Sequence, residues 1–342
     1  MRATRGIREQ RAGGIDLLDR ESGLSQPLAA GGTPAYGPGM ADVRLVLHGK
    51  QAQNPAVRAA VAAARASGHG VEVRVTWESG HAAQFAKEAS LLGIPRVAAG
   101  GGDGTINEVV SGLLAGGAGG RGAALAVVPL GTANDFAHGC HIPLDPSAAL
   151  GLAATAVPRP MDVGWVDGRP FVNVATGGFG TEITVETRPE LKKALHGAAY
   201  LITGLTHLAE LRPVKARFTG PGFSWAGELL VLAVGNGRQA GGGHVLCPEA
   251  LLDDGLLDVN ILPSLPRRER AAAFRALLRE GKPALWHQVV NARLPWLELE
   301  APDAIQVNLD GEPISGTKLR FEVLPGALEV CVPAGSPLFG RA

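Results

Sequence analysis

Hydrophobic positions in the first part of the chain alternate between short apolar runs and longer stretches with helical spacing. The apolar runs predict buried strands at 43–47, 71–75, 96–99 and 125–128. Ala-rich stretches with apolar residues three or four positions apart predict helices at 55–67, 81–92, 105–114 and 146–156. Strands that alternate with helices are typical of a parallel sheet covered by helices. The pattern therefore predicts an α/β domain over residues 40–157.

The pattern changes after residues 158–160, which read Pro-Arg-Pro. Short runs with alternating apolar and polar residues predict strands at 161–166, 170–176, 215–219, 223–235, 256–262, 292–300, 304–309 and 318–324. Two helices interrupt them, at 189–211 and 266–280. A β-sandwich over 158–324 would bury these strands. The predicted fold class is α/β plus all-β, with an N-terminal three-layer α/β domain and a C-terminal β-sandwich domain.

The first 39 residues fit neither pattern. They are rich in Gly, Pro, Arg and Ala and show no helical or strand periodicity, while Met40 is followed almost at once by a predicted strand. We expect residues 1–39 to be a disordered or artefactual leader and Met40 to be the functional start.

Composition narrows the partners and the compartment. The chain has 342 residues, of which 46% are hydrophobic and 19% charged, and its formal net charge is zero. A zero net charge gives no long-range attraction to nucleic acid, so we expect no nucleic-acid partner. No apolar run reaches the length of a membrane span, so membrane contact is expected to be peripheral. Cys140, Cys247 and Cys331 are widely spaced and odd in number, which fits a reducing cytoplasm.

A glycine-rich segment joins the third predicted strand to the helix that follows. Residues 100–108 read Gly-Gly-Gly-Asp-Gly-Thr-Ile-Asn-Glu. Backbone N–H groups without neighbouring side chains, next to the positive end of a helix dipole, are suited to binding phosphate. Asp103 would lie where a bound nucleotide brings Mg²⁺, which favours phosphoryl transfer. The alternative is an ordinary glycine-rich turn in which Asp103 caps the helix.

Further polar turns lie elsewhere in the chain. A second Gly/Thr/Asn/Asp turn at 128–137 follows the fourth strand, and parallel topology would place it beside the first loop at one sheet edge. The segments 251–259 and 307–313 each contain an acidic turn. Sequence alone favours an Asp-Gly hairpin for both.

Six motifs together resemble the bacterial YegS-like lipid kinases of the diacylglycerol kinase catalytic-domain superfamily. The resemblance runs from about Met40 to the end of the chain. The motifs lie at 73–78, 102–108, 129–136, 175–180, 235–243 and 308–313. It implies an ATP-dependent lipid kinase that phosphorylates a hydroxyl of a membrane lipid, phosphatidylglycerol first and diacylglycerol second. It also implies that residues 325–342 return to complete the α/β ATP-binding domain.

The resemblance also implies site residues. It makes Glu312 the acceptor of the proton of the lipid hydroxyl. Apart from the resemblance, Asp103 is a rival candidate for the general base, and Asp310 could be a ligand or an orienting group. The residues expected to bind the nucleotide are Thr76, Gly102, Asp103, Gly104, Thr105, Ile106, Asn107, Glu108 and Thr132. A structural Mg²⁺ or Ca²⁺ would be held by the carbonyls of Leu251 and Leu256 and the carboxylate of Asp254. Hard cations prefer such oxygen ligands.

Two other functions share parts of this pattern. An NAD kinase would also carry the Gly-Gly-Asp-Gly-Thr loop, and a catalytically silent lipid or nucleotide sensor could use the same scaffold. The acids at positions 103 and 312 argue against the sensor.

Residues 235–240 match the dinucleotide fingerprint in its G-x-G-x-x-A form, but three glycines and His244 follow where that fingerprint requires a helix. The oligomeric state is not predicted.

Overall fold

The computed structural model describes residues 41–117, 122–178, 213–264, 266, 269 and 288–340. The leader at 1–39 lies outside the described residues. So do the predicted helix at 189–211 and, apart from Pro266 and Glu269, the predicted helix at 266–280.

The first part of the chain forms a parallel sheet with the strand order β4-β3-β1-β2. Its strands are β1 (Val43–Leu47), β2 (Val71–Val75), β3 (Arg96–Gly101) and β4 (Ala124–Pro129). The helices are α1 (Pro55–Ala66), α2 (His81–Leu91), α3 (Asp103–Gly116), α4 (Asp135–Cys140) and α5 (Pro146–Thr155), and a short 3₁₀ helix covers Gly49–Gln51. Helix α1 packs against α5 and helix α2 against α3. Because the chain reverses direction across the sheet after β2, right-handed crossovers place these two pairs on opposite faces.

Local sequence explains where several of these helices begin. Asn54 accepts a hydrogen bond from the N–H of Ala56 at 3.0 Å and caps α1. Asp145 accepts from the N–H of Ala148 at 2.9 Å and caps α5. In both helices the first residue is a proline, whose missing N–H costs nothing at that position.

The second part of the chain is built mainly from antiparallel strands around a second hydrophobic cluster. These strands are β5 (Arg159–Val166), β6 (Arg169–Phe171), β7 (Val174–Gly177), β8 (Val214–Gly220), β9 (Phe223–Gly235), β10 (Gln239–Ala240), β11 (His244–Val245), β12 (Leu257–Pro263), β13 (Val290–Leu294), β14 (Trp296–Leu309) and β15 (Glu312–Val330). Phe171, Phe218 and Phe321 are fully buried in this cluster. The predicted α/β plus all-β fold class is confirmed.

Some element boundaries differ from the prediction. Helix α3 begins at Asp103, two residues earlier than expected, and α4 was not predicted. The strand expected at 292–300 is divided at Pro295, while 296–300 and 304–309 belong to one strand, β14. The strand expected at 170–176 is interrupted at Val172 and Asn173, because their N–H groups donate to a carboxylate instead of a neighbouring strand.

The end of the chain packs against the parallel sheet. Val330, at the end of β15, pairs in parallel with Leu125 of β4, and the N–H of Cys331 donates to the Leu125 carbonyl at 2.8 Å. Leu338 and Phe339 are buried in the same hydrophobic cluster as the first four strands. In the part of the chain that the structure describes, no helix combines the length and the apolarity needed to cross a membrane.

Candidate active site

Two glycine-containing loops touch at the carboxyl edge of the parallel sheet. Gly101 and Pro129 are paired at the ends of β3 and β4, and the N–H of Leu130 donates to the Gly101 carbonyl at 2.8 Å. A Cβ atom on Gly131 would lie 2.5 Å from the Cα of Gly102. Since real Cβ atoms do not approach this closely, the contact between the loops requires glycine. The expectation that the two polar loops share one edge is confirmed.

The carboxylate of Asp103 points toward the start of α4. Asp103 Oδ2 accepts from the N–H of Asp135 at 3.2 Å, and Oδ1 accepts from the N–H of Phe136 at 3.1 Å. The side-chain Nδ2 of Asn173 also donates to Oδ1, at 3.2 Å. Burial raises the pKa of Asp103, although the Phe136 N–H acts against it. Asp103 is therefore held by donors from two later segments of the chain.

A two-residue turn at Asp310 and Gly311 joins β14 to β15. Both residues have positive φ, 49° and 106°, and Leu309 pairs with Glu312 across the turn. This is the hairpin that the Asp-Gly sequence predicts. Glu312 is exposed and opens β15, so its carboxyl group is accessible to a substrate.

The carboxylate of Asp310 is turned inward toward the loops. Asp310 Oδ2 accepts from the N–H of Val172 at 2.6 Å and from Asn107 Nδ2 at 3.3 Å, and Oδ1 accepts from the N–H of Asn173 at 3.1 Å. Burial, reinforced by the negative charge of Asp103, raises the pKa of Asp310 to about 7 even though these N–H donors act in the opposite direction. The turn that precedes Glu312 is thereby attached to helix α3.

Asp135 connects the second loop to the glycines at 241–243. Its carboxylate accepts from the N–H of Gly242 at 3.0 Å and from the N–H of Gly243 at 2.6 Å, and its carbonyl accepts from Gln239 Nε2 at 2.8 Å. These glycines have positive φ and lie between β10 and β11, which form a small hairpin. The segment lacks the helix of a dinucleotide fingerprint, as the sequence indicated.

Comparison with known proteins identifies the family. The diacylglycerol kinase catalytic domain matches residues 43–166, and the YegS C-terminal NAD kinase beta sandwich-like domain matches residues 176–332. A Pseudomonas aeruginosa protein named "Probable lipid kinase YegS-like" is 55% identical over 86% of this chain and 96% of its own length. A protein of the same name from Pseudomonas syringae is 51% identical over 87% and 95%. The chain belongs to the YegS-like lipid kinase family.

Solved structures support the fold of this family member. A crystal structure of a diacylglycerol kinase from Bacillus anthracis matches with a TM-score of 0.68 at 22% identity, over 85% of this chain and 97% of that chain. A second solved chain from the same organism gives a TM-score of 0.74 at 21% identity, over 89% and 99%. At these identities the likeness concerns the fold alone.

The residues expected to bind a nucleotide have different surroundings. Ile106 is buried in the core, so only its backbone could face a ligand. Thr76, at the end of β2, accepts from the N–H of Gly49 at 3.2 Å, while Thr132 is exposed on the second loop. Glu108 accepts from the N–H of Gly80 at 3.0 Å and so caps α2, which has no cap of its own.

Other members of the expected set lie in the glycine-rich segment at 100–108, which we call the phosphate loop after its predicted role. The N–H groups of Thr105 and Ile106 donate to the Gly102 carbonyl at 2.9 and 3.1 Å, which forms the first turn of α3. Around Gly104, a Cβ atom would meet nothing within 4 Å, so the space beside this residue is open. Asn107 is buried and donates to the Pro170 carbonyl at 3.0 Å in addition to Asp310.

The segment expected to bind a structural cation is a loop, and the hairpin interpretation of 251–256 is wrong. β12, which starts at Leu257, pairs with β9 and β13 and not with a strand before the loop. Asp254 Oδ1 accepts from the N–H of Leu256 at 3.0 Å, and Oδ2 forms an ion pair with Arg293. The side chains of the described residues include no group of three or more His, Cys, Asp or Glu suited to a metal ion.

The loop nevertheless contains a carboxylate and backbone carbonyls. A carboxylate and backbone carbonyls are the groups that Mg²⁺ and Ca²⁺ use. Asp162 approaches the same loop, since its Oδ2 accepts from the N–H of Gly255 at 2.6 Å. Burial raises the pKa of Asp162, and the charges of Asp253 and Asp254 add to the effect. A cation bound to Asp254 would have to replace its ion pair with Arg293.

Sequence reasoning missed two polar residues that organise the site. Asn173 contacts both Asp103 and Asp310, and Asp162 connects the loop at 251–256 to Gly326, whose N–H donates at 2.7 Å. Neither residue lies in a glycine-rich turn. The available signal was a polar residue between apolar neighbours in each of the predicted strands 170–176 and 161–166.

Proposed function

We propose that this chain transfers the γ-phosphate of ATP to a hydroxyl group of a membrane lipid, with phosphatidylglycerol as first candidate and diacylglycerol as second. Family membership makes the chain a kinase. The observation that carries the finer assignment is the attachment of the Asp310 turn to the phosphate loop, which brings the Glu312 segment to helix α3. A phosphate-binding loop and an accessible acid on an adjoining turn are what this transfer requires.

The proposed roles follow from charge and position. The backbone of the phosphate loop holds the triphosphate, and Thr76 and Thr132 provide hydroxyl groups at the same sheet edge. Glu312 takes the proton of the attacking lipid hydroxyl, and its exposure allows a lipid to reach it. Asp103 is the acid of the phosphate loop. A divalent cation bound with ATP would offset charge that develops on the phosphates, and we propose Asp103 as the carboxylate that would hold it.

We further propose that the enzyme acts from the cytoplasm by peripheral contact with the membrane. The three cysteines are all buried and free, as a reducing compartment would leave them. The Leu251, Asp254 and Leu256 loop is proposed as a structural Mg²⁺ or Ca²⁺ site, separate from the cation that accompanies ATP.

A phosphoryl-transfer assay tests the proposal. Purified protein is incubated with γ-labelled ATP and Mg²⁺ together with phosphatidylglycerol, diacylglycerol, sphingosine or NAD in parallel. We expect label in a lipid and none in NAD. Label in NAD alone would indicate an NAD kinase, and no transfer to any acceptor would favour a non-catalytic sensor.

The variant Asp103→Asn is the matched negative control. It removes a charge beside the phosphate loop while keeping the shape of the side chain, so we expect nearly complete loss of transfer with the fold intact. Thermal melting of the variant checks the fold. Activity near the wild-type rate in a folded Asp103→Asn protein would remove Asp103 from the mechanism.

A further inference from the structure

Asn173 lies between the two acidic segments of the site. Its side-chain Nδ2 donates to Asp103 at 3.2 Å, and its backbone N–H donates to Asp310 at 3.1 Å. Its carbonyl accepts from the N–H groups of Asn236 and Gly237 at 3.0 and 2.7 Å. The residue is 5% exposed. Asn173 is therefore fixed on its backbone side and directs its amide group at Asp103.

Strand pairing is interrupted between β6 and β7, where Asn173 lies. β6 ends at Phe171 and β7 begins at Val174, so the N–H groups of Val172 and Asn173 are available to the Asp310 carboxylate. An uninterrupted strand would direct alternate N–H groups to a neighbouring strand. Because the strand is interrupted, these two backbone N–H groups can bind the turn that precedes Glu312.

We propose that Asn173 is a positioning residue for phosphoryl transfer. Its side chain sets the direction of Asp103, and its main chain holds the Asp310 turn, so that the phosphate loop and Glu312 keep a fixed separation. The inference rests on the proposed function, and Asn173 acts through these acids without touching a substrate. Misplacement of a reacting group by about 1 Å can cost roughly 10²-fold in rate.

The hydrogen bond from Asn173 to Asp103 allows a test of whether Asn173 positions Asp103 or only fills space in the core. The amide NH₂ of asparagine only donates, whereas the carboxylate of aspartate only accepts. Asn173→Asp keeps the shape of the side chain but places one carboxylate against that of Asp103, where like charges repel. If Asn173 merely filled space, this isosteric change would be milder than Asn173→Ala.

The chain contains a close match to this arrangement outside the two loops. Asn260 of β12 is 7% exposed, and its Nδ2 donates to Asp258 Oδ1 at 3.0 Å and to the Leu246 carbonyl at 3.2 Å. Asn260→Asp therefore introduces the same like-charge contact at similar burial. It serves as the control for the stability cost of the substitution.

The experiment compares Asn173→Asp with Asn260→Asp at a temperature where both remain folded. With the lipid that the wild type phosphorylates, we expect Asn173→Asp to lower kcat by roughly 10²-fold while KM for MgATP stays near the wild-type value. Asn260→Asp should melt earlier but keep its kcat. Asn173→Ala, which removes the donor without adding charge, should also lower kcat. Equal kcat values for Asn173→Asp and Asn260→Asp would overturn the inference.

A second measurement is independent of the acceptor. A wild type that phosphorylates no acceptor refutes the proposed function, but crystal structures of the same variants still test Asn173. We expect Asp103 to leave the N–H groups of Asp135 and Phe136 in Asn173→Asp and to stay in place in Asn260→Asp. An unmoved Asp103 and an unmoved Asp310 turn in Asn173→Asp would overturn the positioning role, whatever the activity.

Discussion

At the scale of single residues, Asp310 and Glu312, at the turn between β14 and β15, have opposite environments. Asp310 is turned inward onto three N–H donors, while Glu312 is exposed at the start of β15. An inward carboxylate whose oxygens are already engaged is suited to holding the turn. An outward carboxylate is suited to meeting a substrate. The turn therefore places an anchoring acid two positions before the acid that we propose as the general base.

Glu312→Gln tests the proposed general base. Glutamine keeps the size of the side chain but cannot accept the proton, so we expect kcat for the lipid to fall roughly 10²- to 10⁴-fold with little change in ATP affinity. Both constants are measured at saturating MgATP. An unchanged kcat, with any loss confined to KM for the lipid, would assign the base to Asp103 instead.

The raised pKa of Asp310 makes stability depend on pH. The unfolded chain loses this proton near the ordinary pKa of 3.8, whereas the folded protein keeps it until about pH 7. The contribution of Asp310 to the free energy of unfolding should therefore fall as the pH rises from about 4 to about 7 and stay constant above it. Urea denaturation of wild type and Asp310→Asn across this range should show a steeper decline in the wild type, because the raised pKa values of Asp103 and Asp162 contribute to the decline in both proteins. Parallel pH profiles would contradict it.

At the scale of elements, the site depends on glycines that let two strand-to-helix loops touch. Gly102 and Gly131 meet where β3 and β4 end, and a side chain on Gly131 would separate the loops. Helix α3 then starts at once with Asp103, whose carboxylate is held by the first N–H groups of α4. The close packing of the two loops therefore also fixes the position of the Asp103 carboxylate.

Gly131→Ala tests this contact. Its Cβ atom would lie 2.5 Å from Gly102 Cα, so the phosphate loop must shift, and we expect kcat/KM for MgATP to fall by roughly 10²-fold. Gly151→Ala is the control, because a Cβ atom there meets nothing within 4 Å on α5. Alanine inside a helix should stabilise it by about 1 kcal/mol without affecting activity. Equal activity of the two variants would contradict the requirement for glycine at position 131.

At the scale of the whole molecule, the end of the chain supports the parallel sheet that carries the phosphate loop. After β15 pairs with β4 at Val330, Leu338 and Phe339 are buried with the first four strands. Leu338 also accepts from the N–H of Leu252 at 2.7 Å through its carbonyl. Residues 330–339 thereby contact both the first sheet and the acidic loop at 251–256.

Leu338→Ala measures this support. Leu338 is 2% exposed, so the substitution should lower the free energy of unfolding by about 2–5 kcal/mol. Val157→Ala, at a side chain that is 82% exposed, should change it by less than about 0.5 kcal/mol. Urea denaturation measures both. Similar values for the two variants would show that the C-terminal segment contributes little to the core.

The sequence by itself determined the four parallel strands and the sheet edge at which their two polar loops meet. β1 and β2 have the predicted bounds, and the two loops meet because neighbouring parallel strands end at one edge. Hydrophobic periodicity and turn chemistry are local properties, so they can be read without knowing the packing. The glycine-rich loop at 100–108 and the Asp-Gly turn before Glu312 could be predicted in this way.

Only the tertiary structure decided which polar groups meet. Asn173 contacts Asp103 across 70 positions and Asp310 across 137, and Asp254 is paired with Arg293 instead of closing a hairpin. Such partners are chosen by how sheets and loops pack against each other, and nothing in the local pattern of either residue specifies the other. The break between β6 and β7 could not be predicted for the same reason. Its N–H groups donate to the carboxylate of Asp310, which lies on a turn far along the chain.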